Sequence, residues 1–254
     1  DADIEHGPAA LRALVAKAEA ERLGLVSLMA RLRCEGGWER LLIPAFVFFF
    51  QKLYPFPWVN DPRRRTAAAA GGCMLVRRTT LAGAGGIDAV KDALIDDCAL
   101  ARALKERGPI WLGLATTTRS IRAYAGLGGV WDMVARSAYA QLRHSALLLA
   151  ATVAGMFVVY LGPPLATVAG AAAGEAVSAG LGLAAWALMA AAYTPTLRLY
   201  RQPPSAGVLL PFTALLYTLM TVDSALRHWR GEGGMWKGRT YTPTAHSSGP
   251  ADTR

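Results

Sequence analysis

The C-terminal half of the chain contains three long stretches without any Asp, Glu, Lys or Arg. They cover residues 145–174, 176–197 and 202–222 and are 30, 22 and 21 residues long. A helix needs about 20 mostly apolar residues to cross the hydrocarbon core of a bilayer. We therefore predict transmembrane helices at about residues 146–168, 177–195 and 206–222. For the third run, which Pro203, Pro204 and Pro211 interrupt, a re-entrant segment that returns to the inner side is the alternative. The alternative, a set of buried helices in a soluble core, would leave too little chain to cover them.

The charged residues are concentrated in the N-terminal half. The 254-residue chain has 27 Lys and Arg and 18 Asp and Glu, a net charge of +9, and residues 1–145 carry 20 of the basic and 14 of the acidic ones. In a soluble chain this balance would indicate nucleic acid. In an apolar chain it indicates anionic lipid, and we expect no nucleic-acid partner. We predict a soluble domain at 1–144, a membrane region at 145–224 and a polar basic tail at 225–254.

The soluble half alternates helical and strand patterns. Apolar residues at helical spacing predict helices at 7–22, 97–107 and 130–144, and short apolar runs predict strands at 23–30, 71–78 and 110–115. Strands that alternate with helices are typical of α/β domains. The predicted fold class is therefore an α/β domain followed by a transmembrane α-helical region.

A further apolar run, residues 41–50 (LLIPAFVFFF), is too short to cross a bilayer. Lys52, Tyr54 and Trp58 follow it, and aromatic residues with a nearby Lys are typical of segments in the headgroup plane. We predict an interfacial segment at 41–58. The alternative is a core helix of the soluble domain.

The chain begins with DADIEHG, which has neither an initiator Met nor the basic and apolar segments of a signal peptide. We expect that it begins inside a larger natural protein. Its cysteines, Cys34, Cys73 and Cys98, form no C-x-x-C motif. We expect them to be reduced and on the cytoplasmic side.

Two acidic motifs are candidates for chemistry. Asp1 and Asp3 form a D-x-D, and two carboxylates so spaced can offer oxygens to a hard divalent cation that also binds substrate phosphates. Asp96 and Asp97 open a predicted helix. Either the helix dipole explains this acidic pair, or one of the two is a general base held at a site.

Two basic segments are equally ambiguous. Residues 136–144 (RSAYAQLRH) form the last polar stretch before the first apolar run, and residues 61–65 (DPRRR) form another cluster. Arginines next to a membrane often bind lipid phosphate. They can also hold the diphosphate of a substrate with their fork of donors.

Together these motifs resemble those of membrane-bound family 2 glycosyltransferases, which carry D-x-D, E-D and Q-x-x-R-W. The acidic pair follows the D-x-D after 94 positions (97 − 3). The closest resemblance is to the hopene-associated glycosyltransferases of bacterial hopanoid gene clusters. It covers nearly the whole chain and is carried by LVSLMARLRCEGGWERLLIPAFVFFFQKLYPFPWVNDPRRRTAAAAGGCMLVRR, IDDCALARALKERGPIWLGL and WKGRTY.

The resemblance implies a role for each acidic residue. Asp1 and Asp3 would hold a divalent cation, Mg²⁺ or Mn²⁺, together with the diphosphate of the donor. Asp97 would be the catalytic base, and Asp96 stands where the family has Glu.

The resemblance also implies substrate-binding residues. Arg143 matches the Arg of Q-x-x-R-W, His144 replaces its Trp, and Gln141 comes one place after the expected Gln. Gly72 and Arg78 bracket the strand that borders the sugar site in such folds.

The implied fold is GT-A, with the nucleotide-binding first half missing. The implied reaction is an inverting transfer of a sugar from a nucleotide-sugar to a hopanoid-related lipid acceptor at the cytoplasmic face of a bacterial inner membrane. One alternative is an inactive, truncated protein that binds lipid or a partner. Another is a transporter, which we disfavour because the predicted spans contain no charged group.

Overall fold

The structure is a computed structural model that describes residues 1–232, 235–236 and 239–240. Four strands form one mixed sheet: β1 (Ile4–Glu5), β2 (Leu25–Arg31), β3 (Met74–Val76) and β4 (Ile110–Ser120). Their order is β1-β4-β2-β3, with β2 and β4 parallel and each outer strand antiparallel to its neighbour. A mixed sheet with helices confirms the α/β prediction.

The helices of this half pack on both faces of the sheet. They are α1 (Ala10–Ala20), α2 (Gly37–Leu53), α3 (Phe56–Asn60), α4 (Arg78–Gly83), α5 (Asp96–Lys105), α6 (Gly126–Ala135) and α7 (Ala138–Gln141). Alternate side chains of a strand point to opposite faces. Val26 of β2 is therefore buried with Leu14 of α1, whereas Leu25 is buried with Leu42 of α2 and Leu104 of α5.

The prediction of one helix over residues 130–144 is wrong. The chain forms α6, breaks at Arg136 and Ser137, and resumes as α7. A continuous helix would use the N–H of Tyr139 within the helix. Here that N–H donates to Oγ of Ser224, 85 positions later, at 3.0 Å. The break is therefore set by a tertiary contact that helical periodicity does not reveal.

Three helices of the C-terminal half are long and apolar enough to cross a membrane: Ala146–Ala173, Ala176–Leu199 and Pro204–Trp229. We call them the first, second and third apolar helices. The first contains α8 (Ala146–Met156) and α9 (Gly162–Ala173), and the second is α10 (Ala176–Leu199). The first contains a π turn, Phe157–Leu161, directly before Pro163 and Pro164. The missing N–H groups of these prolines remove hydrogen bonds within the helix, which favours such a local irregularity.

The third apolar helix consists of a 3-10 segment, Pro204–Leu209, followed by α11 (Leu210–Trp229). The first residues of the predicted tail are therefore helical. Two short strands, β5 (Met235–Trp236) and β6 (Arg239–Thr240), form an antiparallel pair. The remainder of the predicted tail, residues 241–254, lies outside the described residues.

The run at residues 41–50 forms the middle of α2, where it faces protein on several sides. The ring centroid of Phe48 lies 5.1 Å from that of Tyr193, and Phe49 lies 5.0 Å from Tyr217. The hydroxyl of Tyr217 donates to the carbonyl of Leu42 at 2.9 Å. These phenylalanines therefore join the sheet domain to the apolar helices. That the segment lies at the level of the lipid headgroups stays a prediction.

The first two apolar helices approach each other through glycines. A Cβ on Gly182 would lie 2.6 Å from the main-chain nitrogen of Thr167, and one on Gly170 would lie 2.6 Å from that of Ala179. Small residues at helix contacts are typical of membrane proteins, because they let the two backbones come close.

We predict that Gly182→Val forces these helices apart and lowers the free energy of unfolding by about 1–3 kcal/mol, as for an overpacked core. The matched control is Gly180→Val, because a Cβ there meets nothing within 4 Å. The control is expected to change stability by less than about 0.5 kcal/mol. Unfolding by SDS titration in mixed micelles measures both values. Equal effects of the two substitutions would contradict the close approach at Gly182.

Candidate functional site

Two of the predicted motifs meet at the turn formed by Gly71 and Gly72, which precedes β3. The N–H of Gly71 donates to Oδ2 of Asp97 at 2.9 Å. The carbonyl oxygen of Gly72 lies 3.4 Å from the main-chain nitrogen of Asp1. A Cβ on Gly72 would lie 3.1 Å from Cδ1 of Ile4, so a larger residue would crowd this approach. The D-x-D and the predicted base therefore flank one turn.

Asp97 stands at the start of α5 and is partly buried. Besides its bond to Gly71, it accepts the N–H of Cys98 on Oδ1 at 2.7 Å. Burial raises the pKa of Asp97 in spite of these two bonds, and the charge of Asp96 acts in the same direction. A carboxylate with a raised pKa binds a proton more readily than an ordinary one, which suits a general base.

Asp96 lies beside it but is exposed. Its Oδ1 accepts the N–H of Asp97 at 2.9 Å. Each of the two carboxylates therefore accepts the N–H of the following residue in the first turn of α5. Asp97 also reaches across to the Gly71 turn.

A cavity of about 890 Å³ opens beside the start of α5. Ile95 and Cys98, on either side of the acidic pair, line one wall of it. Five arginines also line it: Arg102, Arg122, Arg136, Arg143 and Arg227. We call this space the arginine cavity. Asp92, Asp132 and Glu232 line it too, but the guanidinium groups outnumber these carboxylates. The excess of positive charge favours an anionic ligand, and phosphate in particular suits the fork of donors of arginine.

Arg136 links the arginine cavity to the acidic pair. Burial lowers its pKa, and Arg122 lowers it further, while the carboxylates of Asp96 and Asp97 act in the opposite direction. Arg136 therefore lies within electrostatic reach of both carboxylates. Its guanidinium stays charged at neutral pH, because an arginine pKa starts above 12.

The predicted substrate-binding residues Gln141, Arg143 and His144 all line this cavity. Gln141 donates through Nε2 to the hydroxyl of Tyr54. Arg143 and His144 both have a φ of 54°, and this left-handed turn leads from α7 into the first apolar helix. The ring of His144 stacks on His228 at 4.2 Å. Burial, and then the charge of His228, lower the pKa of His144.

The D-x-D is tied to the end of β4. Asp3 accepts the hydroxyl of Ser120 on Oδ2 at 3.3 Å, and its carbonyl accepts the N–H of Ile121 at 2.9 Å. Within residues 1–232, no group of three or more His, Cys, Asp or Glu side chains could hold a metal ion. Two carboxylates fit a hard cation that takes its other oxygen ligands from substrate phosphates and water.

Gly72 and Arg78 lie on either side of β3. Gly72 lies at the turn beside Asp1, whereas Arg78 begins α4 beyond the other end of this strand. That they bind the substrate stays a prediction. The sequence reasoning also missed Arg102, Arg122, Arg227 and His228. No motif marks them, because they reach the cavity from separate elements.

A partly buried carboxylate beside an arginine-lined cavity is the arrangement that an enzyme acting on a phosphorylated substrate needs. Glycosyl transferase family 21 matches residues 1–244, and the chain belongs to this family. It is a glycosyltransferase, which confirms the enzyme class predicted from the sequence. Its family implies a nucleotide-sugar donor and an acceptor. Neither a curated protein nor a solved structure matches the chain significantly.

Glu39 of α2 holds the chain near Tyr124, which forms part of the cavity wall, by hydrogen bonding. This carboxylate is only 4% exposed. Its Oε2 accepts the N–H groups of Glu35 and Gly36, each at 2.8 Å, and its Oε1 accepts the N–H of Tyr124 at 3.0 Å. Tyr124 and its neighbour Arg122 line the arginine cavity. Burial acts to raise the pKa of Glu39, but these three N–H groups outweigh it and the pKa is lowered.

We predict that Glu39→Gln lowers the free energy of unfolding by about 1–3 kcal/mol, because an amide nitrogen cannot accept the N–H groups that it would face. Because folding lowers the pKa of Glu39, its contribution is full above about pH 4.3, the unfolded value, and is lost as the pH falls through the folded value. The free energy of unfolding of Glu39→Gln should therefore lack this dependence on acidic pH.

The matched control is Glu35→Gln, whose side chain is 70% exposed. Thermal unfolding in detergent at pH 7 and at pH 4 measures both variants. An unchanged unfolding temperature for Glu39→Gln would contradict the role of these hydrogen bonds.

Proposed function

We propose that the chain carries the catalytic centre of an inverting glycosyltransferase with a GT-A-like domain. Its donor is a nucleotide-sugar and its acceptor is a membrane lipid, hopanoid-related by resemblance. The sheet domain faces the cytoplasm of a bacterial cell, where nucleotide-sugars are available, and the apolar helices lie in the inner membrane.

The observation that carries the proposal is the position of Asp97. It touches the turn that the D-x-D also flanks, and the next residue, Cys98, lines the arginine cavity. A base in this position lies between a site for a metal-bound diphosphate and a cavity that leads towards the membrane helices.

In the proposed reaction, Asp97 accepts the proton of an acceptor hydroxyl. The hydroxyl oxygen forms a bond to C1 of the sugar as the bond from C1 to the donor diphosphate breaks, and the electron pair leaves with the diphosphate. Attack opposite the leaving group inverts the configuration at C1. Positive charge at Arg136 and its neighbours would stabilise the charge that develops on the diphosphate.

Asp1 and Asp3 would hold a divalent cation, Mg²⁺ or Mn²⁺, together with the donor diphosphate. A cation bound there would offset the negative charge on the leaving group. The support for this assignment is the chemistry of the two carboxylates and their place beside the Gly71-Gly72 turn.

An open apolar groove of about 650 Å³ supports a lipid acceptor. It runs between the first turns of the first apolar helix and the end of α11, and Leu149, Phe157, Val222 and Trp229 line it. The arginine cavity lies on the other side of the same stretch of α11. A lipid could therefore keep its hydrocarbon part in the groove while its polar end reaches the cavity.

We predict that Asp97→Asn lowers the rate of sugar transfer at least about 100-fold, because an amide cannot accept the proton. Asp96→Asn is the control and is expected to keep most of the activity, since the Asp96 carboxylate is exposed and accepts the N–H of the next residue. Radiolabelled sugar transferred to a lipid extract measures both. Near-normal turnover of Asp97→Asn would refute the assignment.

The same assignment predicts the pH dependence. Asp97 serves as a base only when ionised, so the transfer rate is expected to fall as the pH drops through its pKa. Because burial raises this pKa, the acid limb of the rate profile should lie above about pH 3.9, the ordinary value for Asp. The residual rate of Asp97→Asn should lack this limb.

Removal of divalent cations by EDTA is expected to abolish transfer, and added Mg²⁺ or Mn²⁺ to restore it. Asp3→Asn should raise the cation concentration needed for half-maximal activity at least about 10-fold. Glu5→Gln is the matched control, because Glu5 lies on β1 and pairs with Arg119 at 2.8 Å. Full activity in EDTA would exclude the metal assignment and leave that of Asp97 in place.

A further inference from the structure

Both ends of the third apolar helix contact the sheet domain. Just before its start, the hydroxyl of Tyr200 accepts the N–H of Leu32 at 3.3 Å. Near its end, Nε1 of Trp131 donates to Asp223 at 2.7 Å. A helix that crosses a bilayer once has its ends on opposite sides of a hydrocarbon core about 30 Å thick. These contacts are therefore not those of a helix that crosses once.

The first residues of the third apolar helix lie beside the middle of the second apolar helix. Nε1 of Trp186 donates to the carbonyl of Val208 at 3.1 Å, and a Cβ on Gly207 would lie 2.9 Å from the carbonyl oxygen of Ala190. Trp186 is ten residues from Ala176, where the second apolar helix begins. At 1.5 Å per residue, the chain reverses about 15 Å before that far end.

From this turning point α11 runs back along the first apolar helix. Phe49 contacts both Tyr217 and Tyr160, with ring centroids 5.0 and 5.5 Å away. His228 stacks on His144. Residue numbers rise from Tyr217 to His228 and fall from Tyr160 to His144, so the two helices are antiparallel. The first apolar helix leaves the sheet domain, and α11 returns to it.

We propose that residues 202–229 form a re-entrant segment. It enters the membrane from the side of the sheet domain, reverses before α11, and returns to the same side. The chain then crosses the membrane twice, through the first and second apolar helices, and residue 232 lies on the side of the sheet domain.

The polar backbone at the turning point is well satisfied, as a position inside a bilayer requires. Pro203, Pro204 and Pro211 have no N–H to satisfy. The carbonyl of Val208 accepts Trp186, and the carbonyl of Leu209 accepts the hydroxyl of Thr213 at 3.1 Å. The 3-10 segment therefore needs no lipid-exposed polar backbone at these positions.

The distribution of basic residues supports the same topology. Four arginines lie at the two ends of the segment: Arg198 and Arg201 precede it, and Arg227 and Arg230 lie at its end. A re-entrant segment puts all four on one side, whereas a single crossing divides them into two pairs. The connection between the first two apolar helices carries Glu175 and no Lys or Arg. Basic residues near the ends of membrane helices favour the cytoplasm.

This topology also completes the candidate site. Ser224, Arg227 and His228 of α11 line the arginine cavity. Arg227 donates to Asp132 of α6 at 2.9 Å. A helix that crossed the bilayer would carry these residues away from the sheet domain and open that wall of the cavity.

Cysteine accessibility tests the topology without relying on activity. Single cysteines replace Asp88, Glu175 or Glu232 in a chain whose Cys34, Cys73 and Cys98 are changed to Ala. All three positions are exposed. Asp88→Cys reports the side of the sheet domain, and Glu175→Cys reports the opposite side. A membrane-impermeant maleimide is applied to intact cells and to lysed cells.

We expect Glu232→Cys to behave like Asp88→Cys, with labelling only after lysis, while Glu175→Cys is labelled in intact cells. Labelling of Glu232→Cys together with Glu175→Cys in intact cells would overturn the proposal. Neither result depends on the assignment of Asp97, so failure here leaves the proposed function intact.

A second measurement keeps the native cysteines, so it does not depend on the folding of the cysteine-free chain. His144→Cys and His228→Cys are combined and treated with a short bifunctional maleimide. The re-entrant topology predicts a cross-link within the chain, detected after proteolysis between the two positions. Each single variant is the control. Absence of the cross-link in the double variant would count against the proposal, because a single crossing separates the two residues by the bilayer.

Discussion

The packing of α2 against the apolar helices is the contact on which the rest of the structure depends. Phe48 and Phe49 meet tyrosines from all three apolar helices, and Tyr217 also donates a hydrogen bond to the α2 backbone. Each aromatic pair adds about 0.5–1.5 kcal/mol beyond the burial of its area. These contacts fix the sheet domain against the membrane region, so a site that includes residues from both can keep its shape.

The candidate site is assembled at this junction. The loops that precede β1 and β3 supply the D-x-D and the Gly71 turn. Helix α5 supplies Asp97 and Arg102, and α11 and the chain before and after α6 and α7 supply the other arginines. An apolar groove lies on the other side of the same stretch of α11.

The electrostatics of the junction depend on partial burial. Burial raises the pKa of Asp97 and lowers that of Arg136, so each group is held in a setting that opposes its charged form. The carboxylates of Asp96 and Asp97 offset part of this cost for Arg136. An anionic diphosphate in the arginine cavity would offset more of it for the arginines, which favours a ligand of that charge.

The sequence by itself determined the features that depend on local composition. Charge-free runs predict the apolar helices, because lipid excludes charged side chains whatever the rest of the fold does. Apolar periodicity predicts α1, β2, α5 and the start of β4 for a similar local reason. The acidic motifs were also recognisable, and the structure brings Asp1 and Asp97 to one turn.

Only the tertiary structure decided how these elements face one another. The break between α6 and α7 depends on Ser224, and the arginine cavity depends on Arg122 and Arg227, which no short motif connects. The direction of α11 is set by the bonds of Trp186 to Val208 and of Trp131 to Asp223. Periodicity and composition describe which face of a helix is apolar, but a helix that crosses a membrane and one that returns have the same pattern. Contacts between residues distant in sequence distinguish the two.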